Sequence, residues 1–317
     1  MAQADRFTIR EPRFRDAKAL VAISQEAFSA EQAVFGSDVR QATRRARLMT
    51  LIYPIQRRLP RPSAMALVGL VGDRPVGLVT AEPHGPTWYI SMVMVSGDHR
   101  RRGYGRVLVE AMCERARNAG AVRAVLHMRE DNRPAYGLYS SLGFRDFERA
   151  HRMLIENPVA AEQSPMPEGY TLVRHSRYDR RTLAIRDACR EPQARELAGA
   201  SRMPGLLERT VGFFVRPADD QRLAIIHRGV WVGFFLYLQE SRLEAAGMLV
   251  AVLPEHRDRG LERPLLVRGL ARAARAGAER VTLSVLSTNT ALLQACEALG
   301  FTTRFVFVGM TRSLESD

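Results

Sequence analysis

The residues best suited to chemistry stand between Met92 and Arg106, in the run MVMVSGDHRRRGYGR. Arg100, Arg101, Arg102 and Arg106 bring four guanidinium groups to one short stretch, and Gly103 and Gly105 interrupt them. Neither glycine carries a Cβ, so a ligand can approach the main chain closely there. Behind this turn Val107, Leu108, Val109, Ala111, Met112, Cys113 and Ala116 recur at helical spacing, and Gly120 reads as the stop. The first N–H groups of such a helix have no internal partner, and its N-terminus carries about half a positive charge. A basic, glycine-bearing turn at a helix mouth therefore suits an anion, and a diphosphate in particular. The competing interpretation is a basic turn that only caps a helix, because short glycine patterns recur by chance.

A second constellation lies downstream in Asn132 to Phe144, NRPAYGLYSSLGF. In this order and at this separation, the two segments resemble the signatures of the GNAT superfamily of acyl-CoA-dependent N-acetyltransferases. Those signatures are Arg/Gln-x-x-Gly-x-Gly/Ala, here Arg100 to Gly105, and a later Asn…Tyr-x-x-Leu-Gly-Phe, here Asn132 and Tyr139 to Phe144. The resemblance implies acetyl-CoA as co-substrate, no metal, and an amine of a small molecule or peptide as acceptor. It places the carrier's phosphates against Arg100, Arg101, Arg102, Gly103, Tyr104, Gly105 and Arg106. It places an N–H for the oxyanion within Val93, Met94 and Val95, and makes Tyr139 the acid that serves the departing thiolate. The base is left between His127 and Glu82, with His84 beside it. Asn132 either touches the pantetheine arm or orders the start of a helix. For Tyr139 and His127 the plain alternative is a side chain packed in the core.

These side chains need a strand-rich scaffold. Phe7 to Arg10 reads as a first strand, and Asp16 as the cap of a helix carrying Ala19, Leu20, Ile23, Ala27 and Phe28 on one face. Asp38 opens a second helical stretch through Arg58, with Arg44, Arg45, Arg47, Arg57 and Arg58. By the resemblance this stretch borders the acceptor pocket; by composition alone it is a solvated face. Ala64 to Val71 and Pro75 to Ala81 form a hairpin, Trp88 to Val95 the central strand, and Arg123 to Met128 the next one. A short helix follows from Asn132 to Gly143, then a last strand from Phe144 to Ile155.

The second half of the chain repeats the first. Val250 to Glu262 aligns with the cradle and Asn289 to Phe301 with the later motif: 252 − 95, 257 − 100, 289 − 132 and 301 − 144 all give 157. One register held across two motifs marks a tandem repeat. The expected organisation is α/β, with two tandem GNAT-type domains, each a mixed, mostly antiparallel sheet flanked by helices. The first spans 1–155, a proline-bearing linker 156–169, and the second 170–317. The second copy departs from the motif: Gly105 becomes Glu262, Tyr139 becomes Cys296, and Pro264 removes a backbone donor. It is therefore expected to be degenerate, with the chemistry in the first domain.

The 317 residues suffice for two cores. No apolar run approaches the roughly 18 residues needed to cross a bilayer, and the N-terminal segment reads as no signal peptide, so no membrane partner and a cytoplasmic location are expected. Cys113, Cys189 and Cys296 are odd in number and far apart, which speaks against a disulfide framework and a metal site. The net charge of +13 comes from arginines spread along the whole chain, with Lys18 the one lysine. That spread favours no nucleic-acid surface. Two readings from other classes remain beside the acetyltransferase: a non-catalytic acyl-CoA sensor or assembly partner, and a nucleic-acid binder built on the same fold.

Overall fold

The computed structural model describes residues 6–27, 29, 64–160, 164–175, 179–198, 219–239 and 246–315. Phe28 and the helical stretch expected through Arg58 lie outside them. The chain folds as two compact units that are not contiguous in sequence. Unit one comprises Met1–Met128, Asn132–Phe147 and Gly309–Asp317; unit two comprises Arg129–Asp131 and Glu148–Val308.

Unit one is built from β1 (Phe7–Arg10), α1 (Ala17–Ala27), β2 (Met65–Val71), β3 (Arg74–His84), β4 (Thr87–Val95), α2 (Tyr104–Asn118), β5 (Arg123–Arg129) and α3 (Arg133–Ser141). Strands β1 to β4 are antiparallel neighbours, and β4 lies parallel to β5. The helical periodicity of α1 turns Leu20 and Ile23 onto Val68, Leu70, Leu78 and Met94. Helix α2 buries Leu108, Val109, Met112, Cys113 and Ala116. The Cys113 thiol is core filler, and burial pushes its pKa up to about 11. Gly69 and Gly77 face each other across β2 and β3. A Cβ on Gly77 would stand 2.9 Å from Leu108 Cδ1, so the sheet is bare where α2 comes down on it.

Asp16 does not cap α1 as expected. Its carboxylate reaches back one turn, accepting from the Arg13 N–H at 2.7 Å and from the Arg10 guanidinium at 2.6 and 2.8 Å, with the residue 2% exposed. It closes a 3₁₀ turn at Phe14–Asp16 that delivers the chain into α1.

Unit two holds β6 (Arg145–Glu156) from Glu148 on, β7 (Tyr170–Arg174), α4 (Arg180–Ala188), α5 (Pro192–Ala198), β8 (Asp219–His227), β9 (Val230–Gln239), β10 (Ala246–Val252), α6 (Glu262–Arg275), β11 (Arg280–Leu286), α7 (Thr290–Ala298) and β12 (Thr302–Ser313) as far as Val308; the start of β6 and the end of β12 belong to unit one. Its sheet runs β6-β11-β10-β9-β8-β7, with β10 and β11 parallel. Phe235, Tyr237, Leu265, Leu266, Leu270, Val281 and Leu283 fill the core. The aromatic run from Trp231 is thus sheet core; Trp231 itself lies under the Arg181 guanidinium at 3.9 Å.

Strands β6 and β12 are equivalent in the repeat, since 302 − 145 and 313 − 156 both give 157. They nevertheless trade places. From Ala150 to Glu156, β6 pairs antiparallel with β11. The end of β12 lies beside β5, where Leu314 N–H donates to the Val122 carbonyl at 2.8 Å and Thr311 Oγ1 to that of Ala124 at 3.4 Å. A division at 155 and 170 follows the sequence repeat, whereas the compact bodies follow the strand pairing. Two strands with the same apolar pattern fit either edge, so local sequence does not choose between them.

Candidate active site

The site begins where β4 and β5 part. Their ladder runs from Thr87↔Arg123 to Ile90↔Leu126 and, among the described residues, stops there. Ser91–Val95 and His127–Arg129 continue without a shared ladder, which leaves main-chain N–H groups of β4 available to a ligand. The parting coincides with a β-bulge: Thr80 faces Met92 and Ala81 faces Ile90, so Ser91 is the extra residue. Its hydroxyl meets Thr80 Oγ1 at 2.9 Å. The equivalent β9–β10 ladder in unit two is regular throughout. Val93, Met94 and Val95 therefore sit on the diverging segment of β4.

Past β4 the chain makes a 3₁₀ turn at Gly97–His99 and enters α2 through two left-handed residues, Arg101 at φ 64° and Gly103 at φ 81°. Left-handed residues next to right-handed ones can turn neighbouring N–H groups toward one side, a geometry that suits an anion and that a helix dipole reinforces. Gly103 supplies the left-handed backbone. At Gly105 the surroundings would admit a Cβ, at an ordinary 3.4 Å from Leu138 Cδ2 and 4.0 Å from Val95 Cγ2, so what the glycine excludes is a longer side chain at the mouth. The residues flanking the mouth divide by role. Arg100 is tied down: its Nε donates to the Val95 carbonyl at 2.9 Å and its Nη2 pairs with Glu26 at 3.1 Å. Glu26 also accepts from the Gly97 N–H at 3.2 Å. Tyr104 stacks on Phe7 at 4.1 Å, which anchors α2 to β1. Arg106 bonds Ser141 on α3 and pairs with Glu110 at 3.5 Å. Arg101 and Arg102 are exposed beside the mouth. A cavity of about 290 Å³ opens next to it, lined by Ile23, Glu26, Gly97 and His99, but none of the three catalytic candidates borders it.

Asn132 is the N-cap of α3, its side-chain oxygen accepting from the Ala135 N–H at 3.2 Å. Tyr139 is 7% exposed and rests edge-on against Phe144 at 5.8 Å. Burial pushes its hydroxyl up to about 12. The two base candidates belong to one strip of contacts. Glu82 lies 3.8 Å from His84, His84 stacks toward Tyr89 at 6.4 Å, Tyr89 meets His127 at 5.7 Å, and His127 meets Phe147 at 5.9 Å. Tyr139 has its ring contact with Phe144 and not with that strip, and among the described residues no three His, Cys, Asp or Glu side chains converge as a metal site.

Several of these positions escape a motif reading: Glu26, Ser91, Tyr89 and Phe147. Ser91 did leave a trace. Ala124 and Val281 are 157 apart (281 − 124), whereas their partners Trp88 and Ala246 are 158 apart (246 − 88), and the extra residue is the bulge.

The family model described as "Acetyltransferase (GNAT) family" matches residues 28–144 and again 185–301. Among solved structures, the chain is similar to a GCN5-related N-acetyltransferase from Sphaerobacter thermophilus, with a TM-score of 0.67 and 19% identity over 98% of this chain and 97% of that one. It is also similar to a tandem GNAT protein from the clavulanic acid biosynthesis pathway, with a TM-score of 0.65 and 17% identity over 98% and 100%. At these identities the likeness is one of fold. Among curated proteins, none matches the sequence.

Proposed function

Because the chain belongs to the GNAT acetyltransferase family and carries its domain twice, we propose that unit one transfers acetyl from acetyl-CoA to a primary amine of a small molecule or peptide. The observation that carries this reading is the mouth of α2: a parted β4–β5 pair leads to a left-handed turn and to a helix start with no side chain at Gly105. The diphosphate docks on the N–H groups from Arg101 to Arg106, with the exposed Arg101 and Arg102 as its counter-charges. Arg100 positions the turn. The pantetheine arm follows the gap between β4 and β5, which brings the thioester to Val93–Val95.

The amine must attack in neutral form, and a free alkylamine titrates near about 10.4, so a base removes its proton. Glu82 and His127 serve this role directly or through water, because His84 and Tyr89 join them on one strip. As nitrogen bonds the carbonyl carbon, an N–H of the parted β4 segment meets the oxyanion. The C–S bond then breaks and the electron pair leaves on sulfur. Tyr139 faces that thiolate as a neutral donor. A hydroxyl near 12 is a weaker acid than a thiol near about 8.5. Tyr139 therefore donates a hydrogen bond as charge develops, and solvent completes the protonation.

No helix among the described residues is long and apolar enough to cross a membrane, and the cysteines are unpaired, which suits a reducing cytoplasm. The deciding experiment is CoA release from acetyl-CoA with a panel of amines. Turnover with one of them is expected. Tight acetyl-CoA binding with no release from any amine would leave a sensor in place of an enzyme.

A further inference from the structure

The second mouth differs from the first in more than one residue, and the differences converge on Glu262. The left-handed entry is retained, with Asp258 at φ 56° and Gly260 at φ 76°. Arg257 also repeats the Arg100 tether, its Nε donating to the Val252 carbonyl at 3.3 Å. The helix itself starts one residue later. In α2, the Val107 N–H donates to Gly103 O at 3.2 Å; its counterpart Pro264 has no N–H, and the first bond of α6 is Leu265 N–H to Leu261 O at 3.4 Å.

The Glu262 side chain turns inward and is 5% exposed. Its Oε1 is buried without a hydrogen-bond partner among the described residues. Burial pushes the carboxyl pKa up, and the N–H groups of Leu261 and of Glu262 itself, the counterparts of Tyr104 and Gly105, draw it down. The mouth is covered from outside as well. Pro167 Cγ stands 3.9 Å from where a Cβ on Gly260 would be, and Ser164 lies beside Pro264, Val267 and Arg268. Residues on the cleft follow suit: Asn289 is buried where Asn132 is exposed.

We infer that Glu262 is a built-in anion for the second mouth: its buried carboxylate stands at the helix start, where a diphosphate would need the amide donors, so the chain holds one acyl-CoA and not two. The count of one rests on the reading of unit one given above; the role of Glu262 does not. An entering diphosphate would have to expel a buried carboxylate from the helix start and pass Pro167 beside Gly260. Gly105 presents no such obstacle.

Two measurements on the full-length, ligand-free chain separate the claims. The first is amide hydrogen exchange at Leu261 and at position 262, corrected for intrinsic rates, in the wild type, Glu262→Ala and Glu262→Gln. Loss of the carboxylate should speed exchange there by about tenfold or more, with Val281–Leu283 unchanged. Glutamine keeps one acceptor oxygen and should fall between, and it carries the readout if the alanine variant does not fold. Equal protection in the wild type and the variants overturns the inference. The second is calorimetric titration with CoA. One equivalent for the wild type and none for Gly105→Glu is expected; two equivalents for the wild type, or one retained in Gly105→Glu, overturns it. No binding at all to the wild type would sink the reading of unit one, while the exchange data would still decide what Glu262 does.

Discussion

Gly103→Ala separates conformation from space at the α2 mouth. Among the described residues nothing lies within 4 Å of the Cβ that alanine would add, so no clash is expected. The penalty comes from the backbone. Gly103 sits at φ 81°, and an L-residue in the left-handed region costs about 1–2 kcal/mol. A less flexible unfolded chain returns about 0.4–1 kcal/mol of that. The net loss should be near 1 kcal/mol if the turn holds. If the turn flips to relieve the strain, at least one amide swings away from the phosphate. A hydrogen bond to a charged group contributes about 1.5–3 kcal/mol, which is tenfold or more in affinity. Gly105→Ala is the control. Its new Cβ meets Leu138 at an ordinary 3.4 Å, and alanine is favoured over glycine within a helix by about 0.5–1 kcal/mol. Thermal melts and CoA titration of both variants should show Gly103→Ala weaker on both counts, with Gly105→Ala equal to the wild type or more stable. Unimpaired CoA binding by Gly103→Ala, or the larger defect in Gly105→Ala, would refute the assignment of these two roles.

Tyr139→Phe should lower kcat with little change in KM for acetyl-CoA. Because the native hydroxyl titrates near about 12, the wild-type kcat profile should show no alkaline limb from Tyr139 below about pH 10; an unchanged kcat removes Tyr139 from the reaction. Asp16→Asn should destabilise the fold by about 2–3 kcal/mol at neutral pH by unpairing the Arg10 guanidinium. Burial works to raise the Asp16 pKa, but Arg10 and the Arg13 N–H outweigh it and hold it below the usual value. Its stabilisation is thus complete above about pH 4 and lost as pH falls through the lower folded value; urea melts at several pH values should show the variant and the wild type converging in acid. Truncation after Val308 removes Met310 and Leu314, both fully buried. It should destabilise unit one by about 3–6 kcal/mol. Hydrogen exchange should then reveal lost protection in Arg123–Met128, far earlier in the sequence, and retained protection there would show that β5 does not depend on β12.

Much of the site was legible because its chemistry is local. Glycines at 103 and 105, arginines from 100 to 106 and the helical spacing from Val107 all lie within one strand–turn–helix, and α2 starts at Tyr104 as that pattern requires. Asn132 as a helix cap was legible for the same reason. What sequence does not carry is direction. Arg100 and Arg106 belong to the same basic run as Arg101 and Arg102, yet they point to Val95, Glu26 and Ser141. Only the folded backbone decides which guanidinium reaches a neighbour and which is left to a ligand. The Glu82–His84–Tyr89–His127–Phe147 strip likewise draws on three strands and the start of a fourth, so no spacing rule could gather it. The exchange of β6 and β12 was hidden because two strands in the same repeat position carry interchangeable patterns.

That exchange gives the second copy a task that its filled mouth does not. The outer edge of β5 lies beside β12, the last strand of the second half, where Thr311 Oγ1 donates to the Ala124 carbonyl, and Leu314 just past β12 donates to Val122 just before β5. An open edge beside a ligand cleft would otherwise be free to pair elsewhere. The first half in turn lends β6 to β11, so neither half closes its own sheet. The second copy must therefore fold whether or not it binds anything. Its departures from the motif agree with that requirement in part. A carboxylate in the first turn of a helix stabilises it by about 0.3–1 kcal/mol, and proline there fits the helical φ and sacrifices an N–H that has no strong partner. Pro264 suits the first turn of α6, whereas the buried Glu262 carboxylate, whose Oε1 has no partner among the described residues, is not explained by helix stability and fits the role inferred for it above. Gly105 and Val107 are what remains where the helix mouth must stay open.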